Sequence, residues 1–186
     1  MKIFCIGLNK TGTRSLSDAL EILGYRSLHW GGPEPAAALR RGPEIRMAVE
    51  RAVDEGRPLL EDIDDVDAYS DILALSTNFD VLDRQYPGSK FILTIRDLGE
   101  WLDSRRRHVE TNVERHERGE YSGTFLVVDY PGWTAERTEH ERRVREYFGD
   151  RPHDLLVLDI SAGQGWETLC PFFGVPVPDV PFPRRG

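Results

Sequence analysis

A strand–loop–helix unit at the N-terminus constrains the fold of this chain more than any other segment. Lys2–Leu8 is a short apolar run with β-branched and aromatic members, which is typical of a buried strand. The polar loop Asn9–Ser15 follows, and apolar residues then recur at the spacing of one helical face over residues 16–23. A glycine-containing loop between a strand and a helix leaves backbone N–H groups free at the helix start, which favours an anionic ligand.

Strand-like and helix-like segments alternate along the rest of the chain. Further strands are predicted at Tyr25–Trp30, Val66–Asp71, Lys90–Ile95 and Leu155–Leu158. Their nearly continuous apolar character is typical of a parallel sheet covered by helices on both faces. We therefore predict an α/β fold in one domain over residues 1–186, with a proline-rich tail at 176–186 that cannot join a central strand or helix. Ligands of such folds bind beyond the carboxyl ends of the strands.

Composition narrows the classes of partner. The net charge of −8 argues against broad nucleic-acid binding, which needs a basic face. No apolar run approaches the roughly 20 residues of a membrane helix, and the N-terminus lacks the regions of a signal peptide. Cys5 and Cys170 stand in apolar contexts and are interpreted as buried thiols of a reducing compartment. These features predict a cytoplasmic protein without membrane or nucleic-acid partners.

The loop offers a positive charge and several hydroxyl donors to a phosphate. The residues assigned to this binding are Lys10, Thr11, Gly12, Thr13, Arg14 and Ser15. The ATPase loop places a lysine and a serine or threonine directly after its second glycine. Here the lysine precedes the glycine by two positions, and Thr13-Arg14 follow it, so the ATPase pattern is not met.

The loop instead resembles the 5′-phosphosulfate loop of sulfotransferases that use 3′-phosphoadenosine 5′-phosphosulfate (PAPS). Lys10-Thr11-Gly12-Thr13-Arg14 is similar to Lys-Ser-Gly-Thr-Thr-Trp in cytosolic members and to Lys-Gly-Gly-Thr-Arg in heparan-sulfate 3-O-sulfotransferases. A second match is independent of the loop: Arg96 ends a predicted strand and Ser104 follows eight residues later, the spacing at which the family holds the nucleotide 3′-phosphate. The resemblance extends to a bacterial branch of small sulfotransferases over most of the chain.

The resemblance implies a fold, a donor and a reaction. The fold is the P-loop-type sulfotransferase fold, and the reaction moves a sulfuryl group from PAPS to a hydroxyl or amine of a small-molecule acceptor without a metal. Lys10 would stabilise charge on the leaving phosphate oxygen, the rest of the loop would hold the 5′-phosphate, and Arg96 with Ser104 would hold the 3′-phosphate. Cytosolic members stack the adenine on a tryptophan at the position of Ser15, so the adenine contact is expected elsewhere.

Two further expectations concern the general base of the reaction and the alternative functions of the protein. Candidates for the base that would take the acceptor proton are His29 and Asp71, each at the end of a predicted strand, and the pair Glu61-Asp62, which follows the apolar Leu59-Leu60. Asp71 falls at roughly the place of the histidine that cytosolic relatives use. The alternative functions are a nucleotide kinase or NTPase of related fold, and a nucleotide-binding protein without catalysis.

Overall fold

The computed structural model describes residues 1–30, 35–63 and 66–185. Over these residues it contains one parallel sheet of five strands in the order β2-β3-β1-β4-β5. The strands are β1 (Ile3–Cys5), β2 (Ser27–His29), β3 (Ala68–Ser70), β4 (Lys90–Thr94) and β5 (Leu155–Leu158). The helices are α1 (Thr13–Ile22), α2 (Pro35–Asp54), α3 (Leu73–Thr77), α4 (Phe79–Gln85), α5 (Leu98–Glu117), α6 (Tyr130–Tyr147) and α7 (Trp166–Phe173).

The predicted α/β class is confirmed. Successive side chains of a strand point to opposite faces of the sheet, so each face has its own apolar core. Every strand pairs in parallel with its neighbours. Along β1, Ile3 and Cys5 point to a core formed with α1 and α7, whereas Phe4 and Ile6 point to a core formed with α2, α3, α4 and α6. Helices therefore cover both faces of the sheet. None of the helices that the structure describes is long and apolar enough to cross a membrane.

Helix α6 begins earlier than its sequence pattern indicates. The sequence predicts a loop over Gly119–Gly132 and a helix over Thr134–Phe148, but the helix starts at Tyr130. The Asp129 carboxylate caps it by accepting a hydrogen bond of 2.9 Å from the Gly132 N–H, and Pro131 is suited to the first helical turn. The helix therefore starts closer to the carboxyl edge of the sheet, where Trp133 packs with Leu8.

The proline-rich tail is irregular, as predicted, and it is anchored by side chains. The indole N–H of Trp166 donates to the Val180 carbonyl at 2.7 Å, and the Phe182 ring lies 4.8 Å from the Trp166 ring. Further along, the Arg185 N–H donates to the Ser15 hydroxyl at 2.8 Å. The end of the tail thus lies against the first turns of α1.

Candidate active site

The loop between β1 and α1 has the backbone geometry of an anion site. Lys10 and Gly12 have φ angles of 67° and 96°, in the left-handed region that favours glycine. Helix α1 begins at Thr13, and no side chain caps its N-terminus. A Cβ at Gly12 would lie 3.3 Å from Ile160, so glycine also suits the close approach to the loop that follows β5. The first N–H groups of α1 remain available to an anion.

The hydroxyls of the loop are mostly engaged within the protein. Thr11 Oγ1 donates to the Leu8 carbonyl at 2.5 Å and lies 2.6 Å from Thr94 Oγ1. Because a hydroxyl has one hydrogen, the Thr94 hydroxyl must be the donor of the second bond. The Thr11 hydroxyl therefore has no hydrogen left for a phosphate, contrary to the expectation from sequence, and this residue can offer only its backbone N–H.

A cavity of about 500 Å³ opens beside this loop. Five parts of the chain form it: the loop itself, the segment after β4, one face of α5, the segment after β5, and the tail. The side chains and glycine that line it are Lys10, Thr11, Gly12, Arg96, Glu100, Ser104, Arg107, His108, Thr111, Ile160, Ser161, Arg184 and Arg185. Five of these residues are basic, counting only lysine and arginine, and one is acidic, so the cavity suits an anion.

The two residues of the second sequence match lie in this cavity together with Lys10. Arg96 follows β4 and forms an ion pair with Glu100 at 3.1 Å, one helical turn along. Ser104 lies a further turn along α5 and is 8% exposed. The spacing of eight residues thus brings both side chains to one cavity wall. Among the residues that the structure describes, Glu100 is the one carboxylate that lines the cavity, and it would have to give up Arg96 to a bound phosphate.

Lys10 is the cation best placed to act on a ligand. Its ammonium group makes no hydrogen bond or ion pair with the residues that the structure describes. Burial lowers the pKa of Lys10, and the positive charges of Arg96, Arg107 and Arg14 lower it further, while Asp71 opposes the shift. A partly desolvated, unpaired cation interacts strongly with negative charge that develops next to it.

Sequence reasoning missed the two arginines at the end of the tail. Arg184 donates to the Ile160 carbonyl at 2.6 Å and to the Gly163 carbonyl at 3.0 Å. Arg185 pairs with Asp18 of α1 at 2.6 Å. The prolines indicated that the tail is irregular but not where it runs. The one signal in the sequence for these two residues is that they are adjacent and basic. His108 and Thr111 were also missed, although they extend the α5 face of Ser104 by one and two turns.

His29 and Asp71, proposed separately as bases, lie side by side. His29 Nε2 is 3.7 Å from Asp71 Oδ2 and 3.2 Å from the hydroxyl of Thr13, the first residue of α1. The pair arises because β2 and β3 are neighbours and both end at this edge. Asp71 has a φ of 59°, in the left-handed region that residues other than glycine seldom adopt. Residues with such strained backbone are concentrated at functional sites.

Burial shifts the pKa values of Asp71 and His29 in opposite directions. It raises the pKa of Asp71 to about 6, although Lys10 and Arg14 oppose the change with their positive charge. Burial also lowers the pKa of His29 to about 4, with Arg14 adding to the effect. At neutral pH the imidazole is therefore uncharged and the carboxyl is ionised, but with a basicity well above that of an ordinary aspartate.

The third candidate for the base lies elsewhere. Glu61 and Asp62 are exposed and pair with Arg57 on the surface. The Leu60 N–H beside them donates to the Tyr86 hydroxyl at 3.0 Å, close to the start of β4. This segment is therefore at the amino edge of the sheet, opposite the cavity.

A parallel sheet whose first strand leads through a glycine loop into a helix is the arrangement of phosphate-binding α/β proteins. The sulfotransferase domain model matches residues 2–135 and 129–186, so the chain belongs to the sulfotransferase domain family. The family resemblance read from the loop and the Arg96–Ser104 spacing is thereby confirmed. The chain is also similar to the Ava biosynthesis cluster protein M of Aspergillus versicolor, at 28% identity over 216 aligned residues that cover 99% of this chain and 80% of that protein.

Proposed function

We propose that this protein transfers the sulfuryl group of PAPS to a hydroxyl or amine of a small acceptor. The observation that supports it most is the cavity shared by Lys10, Gly12, Arg96 and Ser104. Its cations come from separate segments of the chain: Lys10 from the loop, Arg96 from the end of β4, Arg107 from α5, and Arg184 and Arg185 from the tail. A nucleotide with phosphates on both its 5′ and 3′ positions matches that distribution better than one with a single phosphate chain.

Each end of the donor would meet a different set of groups. The 5′-phosphosulfate would lie on the N–H groups that open α1, with Lys10 beside the bridging oxygen. The 3′-phosphate would take Arg96 from Glu100 and accept a hydrogen bond from Ser104. The tail arginine Arg185 adds positive charge to the cavity.

The reaction would be an in-line displacement at sulfur. The acceptor oxygen or nitrogen forms a bond to sulfur while the bond from sulfur to the 5′-phosphate oxygen breaks. The electron pair of the broken bond stays on 3′-phosphoadenosine 5′-phosphate (PAP), where Lys10 stabilises the added negative charge. The acceptor proton passes to a base. Catalysis of this kind rests mainly on positioning and charge stabilisation.

Asp71 is the better candidate for that base. A general base works best with a pKa near the operating pH, and the raised pKa of Asp71, about 6, lies closer to neutrality than that of His29, about 4. The Asp71 side chain is also 24% exposed, against 11% for His29. His29 would then act as an uncharged neighbour that orients the carboxylate and Thr13.

The nucleotide preference is the first test of this proposal. PAP is expected to raise the melting temperature by a few degrees at 100 times its dissociation constant, because such a ligand adds about 2.7 kcal/mol to the free energy of unfolding. AMP and ATP with Mg²⁺ are expected to raise it less at equal concentration, since neither carries a 3′-phosphate for Arg96. Thermal shift assays measure the difference, and equal shifts with PAP and AMP would refute the assignment of the 3′-phosphate site.

Glu100 provides a test in which a substitution is expected to tighten nucleotide binding. Glu100→Gln is expected to tighten PAP binding roughly twofold to fivefold, because it removes a competitor for Arg96 and a negative charge near the 3′-phosphate. Isothermal titration calorimetry measures the dissociation constant. Glu110→Gln is the matched control, since Glu110 is on the same helix but pairs with Arg106, which does not line the cavity. Weaker binding by the glutamine variant would mean that Glu100 holds Arg96 in its binding position.

A further inference from the structure

A buried cluster of aromatic rings and arginines lies between α5 and α6, and the function proposed above does not use it. The Arg105 guanidinium lies 4.8 Å from the Trp101 ring and 4.7 Å from the Trp133 ring. The Arg137 guanidinium lies 5.1 Å from the Trp101 ring. Trp101 is fully buried and occupies the centre of this cluster. Two polar contacts lead from the cluster to the backbone of the nucleotide cavity.

The first contact holds the phosphate loop. The indole N–H of Trp101 donates to the Asn9 carbonyl at 2.9 Å. Asn9 immediately precedes Lys10, whose left-handed backbone turns the chain toward α1. A fully buried indole ring has little freedom to move. This bond therefore determines where the loop begins.

The second contact holds the segment that carries Arg96. The Arg137 guanidinium donates through Nη2 to the Arg96 carbonyl, and its Nε donates to Glu141 at 2.6 Å. The side chain of Arg137 is 11% exposed. Its Nη1 is buried and has no hydrogen-bond partner among the residues that the structure describes. Burying a guanidinium with an unsatisfied N–H is costly, so its position calls for a reason other than stability.

We propose that Trp101 and Arg137 are positioning residues that set the two phosphate subsites of the cavity. Trp101 acts on the 5′ subsite through the Asn9 carbonyl, and Arg137 acts on the 3′ subsite through the Arg96 carbonyl. Arg137 also packs on Trp101, so the two residues belong to one cluster while each holds its own subsite. This inference rests on the proposed function, since it assumes a ligand with both phosphates.

The two residues are expected to affect different parts of the ligand. Arg137→Met is expected to lower the preference for PAP over AMP about tenfold, with AMP affinity unchanged, because only the 3′ contact loses its orientation. Trp101→Phe keeps most of the ring but loses the N–H, and is expected to weaken PAP and AMP equally, so the preference stays. Titration calorimetry of both nucleotides gives these ratios.

Controls separate positioning from general damage. Arg142→Met is the matched control on α6, since Arg142 is exposed and, within the described part of the chain, its ion pairs are with Glu139 and Glu146 of its own helix. In an Arg96→Ala background, Arg137→Met is expected to cause no further loss of PAP affinity. A merely structural role would give additive losses instead. If Arg137→Met fails to fold, Arg137→Lys, which keeps the charge but not the planar fork, is expected to show the same loss of preference to a smaller degree.

The outcomes distinguish this inference from the proposed function. If the unmodified protein shows no preference for PAP over AMP, the proposed function fails. If it does show the preference, and folded Arg137→Met retains it in full, the positioning role of Arg137 is overturned. Equal losses for PAP and AMP in that variant would overturn it as well.

Discussion

Replacing Lys10 with alanine is expected to lower kcat for sulfuryl transfer about 10²–10³-fold while weakening PAP binding much less. Negative charge on the bridging oxygen grows only as the sulfur–oxygen bond breaks, so the ammonium group binds the transition state better than the ground state. The burial that lowers the pKa of Lys10 also reduces dielectric screening of this interaction. The N–H groups at the start of α1 remain in the variant and continue to hold the 5′-phosphate.

The measurement needs an acceptor, found by screening phenols, sugars and amines with labelled PAPS. Single-turnover rates then give the loss in chemistry, and calorimetry gives the loss in PAP affinity. Lys90→Ala is the matched control, because Lys90 lies at the start of β4, at the opposite edge of the sheet from the cavity. Turnover of Lys10→Ala at the unmodified rate would disprove the role in leaving-group stabilisation. If PAP binds tightly but no acceptor class gives turnover, the protein is better described as a nucleotide-binding protein.

Sequence patterns predicted the parts of the site that depend on local geometry. The loop between β1 and α1 is one continuous segment between a strand and a helix, so its residue order already determines which backbone N–H groups open the helix. Arg96 and Ser104 are separated by a strand end and about two helical turns, so their spacing also determines their common wall. Both features need only the geometry of single elements.

The remaining parts depend on how distant segments pack. The order of the strands brings His29 beside Asp71, and no spacing along the chain indicates that neighbourhood. The path of the tail, which carries Arg184 and Arg185 to the cavity, follows from the packing of Phe182 on Trp166. Such contacts are set by tertiary structure rather than by local pattern.

Asp71→Asn is expected to cost about 10²–10⁴-fold in kcat with an alcohol acceptor, since the amide cannot take the acceptor proton. The pH dependence gives the sign of the effect. The base works in its ionised form, so the rate of the unmodified enzyme should rise with pH and level off above the pKa of Asp71, which burial raises to about 6. The negative charge of bound PAPS can only move that midpoint upward. The asparagine variant should lose this rise.

A substitution of His29 and a comparison of two acceptors distinguish the general base from a group that only orients its neighbours. His29→Gln is expected to lower the rate about tenfold or less and to keep the rise with pH, because the imidazole, with a pKa lowered by burial to about 4, does not titrate in that range. An acidic phenol that is already ionised at the assay pH needs no base, so Asp71→Asn should cost little with it. If the variant is equally slow with the phenol and the alcohol, Asp71 holds Lys10 in place rather than accepting a proton. If His29→Gln abolishes the pH rise and Asp71→Asn keeps it, the base is His29. Comparing rates with the phenol and the alcohol thus tests the proton transfer itself. Measurements of affinity or stability would not detect this step.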